Sequence, residues 1–332
     1  MWGWIGFNAV VLTLIAVDLL VFHRRARQTS LKEAAVWSAV WVGLSLTFSL
    51  FVFRFMGKNS GLEFLAGYLI EYALSVDNIF VFVLIFGYFR IPMEYQHRVL
   101  LWGIMGALIL RGAMIAAGAV LVSRFEWILY LFGAFLVFTG VRMALQKAGD
   151  QYDPEDNPVL RLVRRVIPVT SEYHGQNFFV RLPDESGVVR IMATPLFIVL
   201  ILVETTDVIF ATDSIPAIFA VTRDPFIVYT SNVCAVLGLR ALYFLLAGIV
   251  DKFHYLKVGL SIVLIFIGLK MLGESFVHIP IAVSLGVVAL ILMSSVIASL
   301  RWPRHDPPSI PPLASLGQHH GSHSEKSEKK SG

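Results

Sequence analysis

Cysteine and charge are both scarce in this sequence, and each shortage removes a class of protein. Cys234 stands alone, so no intramolecular disulfide and no Cys-x-x-Cys pair can form, and a dithiol redox enzyme is not expected. Asp, Glu, Lys and Arg make up only 15% of the 332 residues, whereas 57% are hydrophobic. Soluble domains carry about 25% charged residues, and the mean hydropathy of +0.73 points instead to a polytopic membrane protein. The first apolar stretch lacks a basic n-region before it and a small-residue cleavage site after it. It therefore reads as a span rather than a signal peptide, with "HRRARQ" as its stop-transfer flank.

Long apolar runs are what the chain has in abundance. A crossing takes about 20 residues, and runs of that size recur at 3–22, 34–53, 63–88, 99–122, 127–145, 194–213, 226–248, 255–272 and 279–299, giving about nine spans. Basic residues cluster in the 23–33 loop (Arg24, Arg25, Arg27, Lys32) and the 146–192 loop (Lys147, Arg161, Arg164, Arg165, Arg181, Arg190). The positive-inside rule makes both loops cytoplasmic, which puts the N-terminus outside and the C-terminal tail inside. The net charge of +4 follows from this distribution and calls for no nucleic acid.

The 146–192 loop is the only sizeable hydrophilic insertion. Val159, Leu160, Leu162, Val163, Val166 and Ile167 alternate with arginines as in a short amphipathic helix at the membrane surface. "NFFVRLPDESGVVRIM" reads as two strands around a Pro-Asp-Glu-Ser-Gly turn, a small hairpin. Neither piece carries a catalytic set. The acidic run Asp150, Asp153, Glu155 and Asp156 lacks the alternating ligand positions of a calcium loop and reads as a solvated linker. From residue 303 onward the composition is that of a disordered tail, with His319, His320 and His323 incidental to it.

A faint internal repeat runs beneath this pattern. "SVDNIFVF" (75–82) matches "TTDVIFAT" (205–212), setting Asp77 against Asp207; Arg111 and Arg240 follow 34 and 33 residues later; and "FTGVRM" (138–143) matches "FIGLKM" (266–271). Spans three to five then repeat as six to eight with opposite orientation, the inverted-repeat plan of secondary transporters.

Five acids fall in the two matched helices: Glu71 and Asp77 in one, Glu204, Asp207 and Asp213 in the other. Left unpaired they would cost on the order of 12–18 kcal/mol on the insertion scale. Arg111 and Arg240 are too few to neutralise them, so a surplus of negative charge remains for cations or protons. Glu71, Ser75 and Asn78 share one helix face at i, i+4 and i+7, and Glu204 and Asp207 are at i and i+3. Asp77 and Asp213 fall off those stripes. Pro216, just after Asp213 and Ser214, is expected to break its helix and so return Asp213 to the site. The donors are carboxylates, the Asn78 amide and the hydroxyls of Ser75, Thr205, Thr206 and Ser214, without His or Cys nearby. Oxygen-only sites suit Mg, Ca or Mn, so a hard divalent cation is expected. A structural polar network between helices is the competing account of the same residues, and simple charge balance is the account preferred for Arg111 and Arg240. His97, His254 and His278 lie near span ends, and Trp2, Trp4, Trp102 and Trp127 read as belt or packing residues.

"EYALSVDNIFVFVLIFGYFRIP" (71–92), "DPEDNPVLRLVRRVIPVTSEYHG" (153–175) and "VETTDVIFATDSIPAIFAVTRDPFIVYTSNVCAVLGLRALYFLLAG" (203–248) resemble the signatures of the TerC family of integral membrane proteins, and its Alx-like branch in particular. The resemblance runs from about residue 60 to 275. It implies a bacterial inner-membrane protein of the broad group that includes LysE-type exporters, in a family named for tellurium resistance with members assigned to manganese export. It also implies a metal route through Glu71, Asp77 and Asn78 in the first motif and Glu204, Asp207 and Asp213 in the second.

The expectation is an all-α polytopic transmembrane helical bundle of about nine spans with a 3+3 inverted repeat. Two N-terminal helices would fill 1–60, the first repeat 61–145, the cytoplasmic loop with its short helix and hairpin 146–192, the second repeat 193–275, the last span 276–300 and the disordered tail 301–332. Its activity would be export of Mn²⁺, or Ca²⁺, as a transported substrate, with no tightly bound cofactor and no enzymatic step. The bilayer and the cation are its expected partners; the sequence names no protein partner. A rival reading is a non-transporting scaffold acting through the 146–192 loop and the tail in stress response or tellurium resistance. Another is a membrane-bound redox modulator, against which the lone Cys234 and the lack of any cofactor motif speak.

Overall fold

The computed structural model describes residues 2–22, 30–145, 157–170, 172–183, 189–247, 254–274, 276, 277 and 279–302. Arg24, Arg25, Arg27, Lys147, the acidic run at 150–156, His278 and the histidine-bearing tail lie outside the described residues.

The elements are α1 (Trp2–Phe22), α2 (Leu31–Phe55), α3 (Lys58–Tyr88), α4 (Met93–Arg124), α5 (Trp127–Leu145), α6 (Pro158–Val166), β1 (Phe179–Pro183), β2 (Val189–Ala193), α7 (Pro195–Phe219), α8 (Pro225–Leu237), α9 (Leu239–Leu246), α10 (His254–Gly273) and α11 (Ile281–Arg301). Local chemistry sets several of the starts. Ser30 accepts from the Glu33 amide at 3.3 Å to cap α2, in the Ser-x-x-Glu pattern of a capping box. Asn157 and Asp224 cap α6 and α8 in the same way, each followed by a proline whose missing N–H is no loss in the first turn. β1 and β2 pair antiparallel, with Phe179 opposite Ala193 and Pro183 opposite Val189.

This is an all-α polytopic bundle. Among the described residues seven helices are long and apolar enough to cross a membrane, and eight if α8 and α9 form one bent span; α1 adds a shorter apolar run, Trp2–Val17. The difference from the nine spans expected lies in α1 and in α8–α9, whose two pieces are too short to cross singly.

The expectation about where a helix breaks is corrected. Pro216 does not break its helix, because α7 runs through it to Phe219. The lost N–H falls within the last turn, and the Pro216 carbonyl still accepts from the Ala220 amide at 3.0 Å. The bend lies instead between α8 and α9, a 40° turn at Gly238, where the amide of Gly238 donates to the Ala235 carbonyl at 3.2 Å rather than one full turn back. A Cβ at that glycine would meet Trp41 and Tyr72 at ordinary contact distances of 3.5 and 3.8 Å.

α3 packs on α8 as α4 packs on α7, and α5 lies along α10. The α5–α10 contact is reciprocal: a Cβ on Gly140 would sit 2.8 Å from the Ser261 carbonyl oxygen and 2.7 Å from Ile265, and a Cβ on Gly268 would sit 2.6 Å from the Gly133 carbonyl oxygen and 2.8 Å from Val137. Each glycine thus meets residues three and seven positions before the other. Only glycine lets two backbones approach this closely.

Apolar packing divides into two large clusters. One takes Ile70, Ala73 and Leu74 of α3 with Ala211 to Phe219 of α7, plus α5, α10 and α11. The other takes Ile79 to Phe86 of α3 with Leu196 to Val203 of α7, plus the start of α4, α6 and α9. Between them, at the middle of α3 and α7, lies a layer of buried polar side chains.

Candidate ion-paired site within the bundle

The polar layer is centred on Arg111 of α4, 1% exposed. Its Nε donates to Asp207 Oδ2 at 2.9 Å and its Nη2 to Asp207 Oδ1 at 2.7 Å, the two-pronged fork that guanidinium and carboxylate form best. Its Nη1 donates to Glu71 Oε1. Asn78 Nδ2 adds a third hydrogen bond to Asp207, at 3.3 Å to Oδ1. Glu71 and Asn78 project from the same face of α3, Asp207 from the midpoint of α7, and all are buried. With its members ionised the trio has two negative charges against one positive.

The hydrogen bonds do not use up the acceptors. Among the described residues no donor reaches Glu71 Oε2, Asn78 Oδ1 or Ser75 Oγ, all on that one face of α3. Buried oxygens left in this way are costly, and they are the kind of atoms that coordinate a hard cation.

The remaining sequence-predicted residues stand apart. Glu204, half-buried one turn before Asp207, presses its carboxylate on Gly106 of α4, where any Cβ would overlap Oε1, and its Oε2 has no partner among the described residues. Asp213 faces α5, reaching Thr139 and lying near Arg142. Asp77 is half-buried with Lys257 of α10 as a charged neighbour. Arg240 lies near His97 and, with Asp207, Phe82, Leu100 and Val203, lines a cavity of about 20 Å³, room for a single water. The six predicted ligands therefore do not converge on one cage. Among the described residues no three His, Cys, Asp or Glu side chains are grouped to hold a metal ion. The reason is helical: without a break at Pro216, Asp213 stays on the face of α7 turned to α5, and Asp77 stays on the face of α3 turned to α10.

Two contributors escaped the sequence reading. Asn232 of α8 is fully buried and neither of its amide atoms has a partner among the described residues; its signal was the one that marks Asn78, an amide inside an apolar run. Gly106 gives no chemical signal, and its part in seating Glu204 shows only once α4 meets α7.

Fold and site together define a class: an all-helical, multi-pass integral membrane protein with an ion-paired network buried between two apolar layers of its bundle. The chain matches the Integral membrane protein TerC family over residues 56–306, and it belongs to that family. It is similar to an uncharacterised membrane protein of Myxococcus xanthus, 54% identical over 306 residues, covering 92% of this chain and 94% of the relative. It is also similar to the Escherichia coli (strain K12) protein named "Putative membrane-bound redox modulator Alx", 51% identical over 316 residues, 92% of this chain and 96% of the relative. An uncharacterised membrane protein of Rickettsia bellii is 40% identical over 298 residues, 90% of this chain and 97% of the relative. No solved structure matches the chain.

Proposed function

We propose that this protein is a transporter rather than an enzyme, exporting a hard divalent cation, Mn²⁺ before Ca²⁺, across the bacterial inner membrane, with the N-terminus outside and the C-terminus in the cytoplasm. The observation that carries the reading is the unspent acceptor set of Glu71 Oε2, Ser75 Oγ and Asn78 Oδ1 beside a network with one surplus negative charge. A divalent cation binding those oxygens supplies what Arg111 does not. Arg111 is then the stand-in charge that holds Glu71 and Asp207 when the cation has left, and Glu204, Asp213 and Asp77 are successive oxygen positions along the route. The cation passes as substrate, with no tightly bound cofactor required.

The sequence match of spans three to five with six to eight, and the reciprocal glycine contact of α5 with α10, support a 3+3 inverted repeat. In such a plan the two units rock about a site near the midplane, and the Arg111 layer lies near the middle of α3, α4 and α7.

A second reading has its own observation: the two-pronged Arg111–Asp207 pairing suits a permanent structural network in a non-transporting protein of tellurium resistance or stress response. A redox role rests on the Escherichia coli relative's name, and the one thiol available, Cys234, packs into apolar clusters with Phe226 and Phe48.

Flux separates these readings. Purified protein in liposomes should move Mn²⁺ past a trapped indicator, and Asp207→Asn, Asp77→Asn and Asn78→Ala should each abolish or strongly reduce it. Wild-type flux no greater than that of empty liposomes for Mn²⁺, Ca²⁺, Mg²⁺, Fe²⁺ and Zn²⁺ would sink the transporter reading. So would an Asp77→Asn, Asp213→Asn double variant that transports normally.

A further inference from the structure

Helix α6 lies outside the spans, yet it shows two apolar stripes. Leu160 is fully buried, in one cluster with Leu196 and Val199 at the start of α7, and Val163 packs against the same cluster. Val159, Leu162 and Val166, at i, i+3 and i+7, form a second stripe that no other described residue covers: Leu162 is 59% exposed and Val166 71%. The exposed Arg161 and Arg165 lie on the far side of the helix, and no acidic residue interrupts Pro158–Val166. On a helical projection the protein-facing stripe, the uncovered stripe and the arginines follow one another around the axis.

Contacts nearby tie this helix to the ends of two apolar helices. The segment is tied to the end of α3, where Tyr173 Oη donates to the Phe89 carbonyl at 2.6 Å, and to the start of α7, where Thr194 Oγ1 donates to the Asn177 carbonyl at 2.7 Å. Aromatic side chains gather at this level: Tyr95 with Tyr173, Trp102 with Phe178, and Phe179 with Phe197. Such rings settle at the headgroup level of a bilayer.

We infer that α6 is an in-plane surface helix whose Val159–Leu162–Val166 stripe is immersed in the adjoining leaflet and whose arginines bind anionic phospholipid headgroups. The occupant is lipid rather than protein because the uncovered stripe is flanked by positive charge and joins directly onto the spans it packs against. An amphipathic helix with a basic face takes this position on anionic membranes. Through Leu160 the seat of α6 on the leaflet is passed to the first turns of α7, which carries Glu204 and Asp207. This inference is independent of the cation route, because it concerns lipid contact and holds for a scaffold as well as for a transporter.

Spin labels test it on the full chain, in a Cys234→Ala background, with single cysteines placed by Leu162→Cys, Val166→Cys and Arg165→Cys. Accessibility to dissolved oxygen and to a water-soluble nickel complex is read in vesicles of phosphatidylcholine with and without phosphatidylglycerol. Labels at 162 and 166 should be oxygen-accessible and nickel-protected when phosphatidylglycerol is present, and the label at 165 the reverse. Each arginine attracts an anionic surface by about 1 kcal/mol, so Arg161→Gln should lower the ratio of immersed to lifted helix roughly fivefold. Water exposure of 162 and 166 in both vesicles would overturn the inference and favour a protein partner. Equal immersion with and without phosphatidylglycerol would overturn the headgroup assignment.

Discussion

Asp207 and Asp77 sit at matching places in "TTDVIFAT" and "SVDNIFVF", and their surroundings are unlike. Asp207 is 3% exposed and held by Arg111 and Asn78, whereas Asp77 is half-buried and looks toward Lys257. The arginines differ in step. Arg111 bridges two carboxylates from the middle of an unbroken helix, and Arg240 follows a 40° bend and lines a small cavity. The lesson is that one sequence pattern gives two electrostatic sites, because each charge takes its partner from the helices packed around it and not from its own motif.

The largest contrast expected is between the arginines. Arg111→Met leaves Glu71 and Asp207 buried without their counter-charge, which should cost about 3–5 kcal/mol; Arg240→Met, beside a cavity that a water can enter, should cost less than half of that. Denaturation of the purified protein in mixed micelles reads both, and equal losses would erase the distinction between the halves.

Where the halves meet, symmetry should hold instead. Gly140→Leu and Gly268→Leu both drive a side chain into the opposite backbone, and each should destabilise by roughly 1–3 kcal/mol. Clearly unequal losses in the same unfolding assay would break the reciprocity of the α5–α10 contact.

A smaller effect is expected on α4. Gly106→Ala must displace the Glu204 carboxylate and should cost about 1–2 kcal/mol. Gly112→Ala, with Tyr229 as its nearest neighbour at 3.6 Å, should be neutral or stabilise by up to about 1 kcal/mol through helix propensity. If the two substitutions behave alike, Glu204 is not seated on Gly106.

Least of all is expected from the exposed pair Arg223–Glu274, whose nitrogen and oxygen are 4.0 Å apart. Glu274→Gln should alter stability by no more than about 0.5 kcal/mol, and a larger change would show that burial is not what separates the strong pairs from the weak ones here.

Much of the bundle was legible because the bilayer reduces folding to a length test. Runs of about 20 apolar residues become helices, and an acid inside such a run has to be explained. Glu71, Asn78, Asp207 and Arg111 were readable in this way. The structure does not gather the six expected ligands into one place, and Pro216 is part of the reason: proline's missing donor predicts a disturbed helix but not where in the helix it falls, and one turn from the end it does no more than hasten the stop. Gly238, which does mark a bend, looked like any glycine in an apolar run.

By itself the sequence determined that the chain crosses a membrane many times, which residues carry charge into the apolar interior, and that two stretches echo each other. Those follow from hydropathy and spacing, which are properties of the chain alone. Only the tertiary structure decided which carboxylates Arg111 holds, that Asp77 and Asp213 face other helices, that Gly106 makes room for Glu204, and that Asn232 is buried. These depend on which helix faces meet, because a charge buried away from water is weakly screened and is held by whichever opposite charges and hydrogen-bond donors the neighbouring helices bring to it.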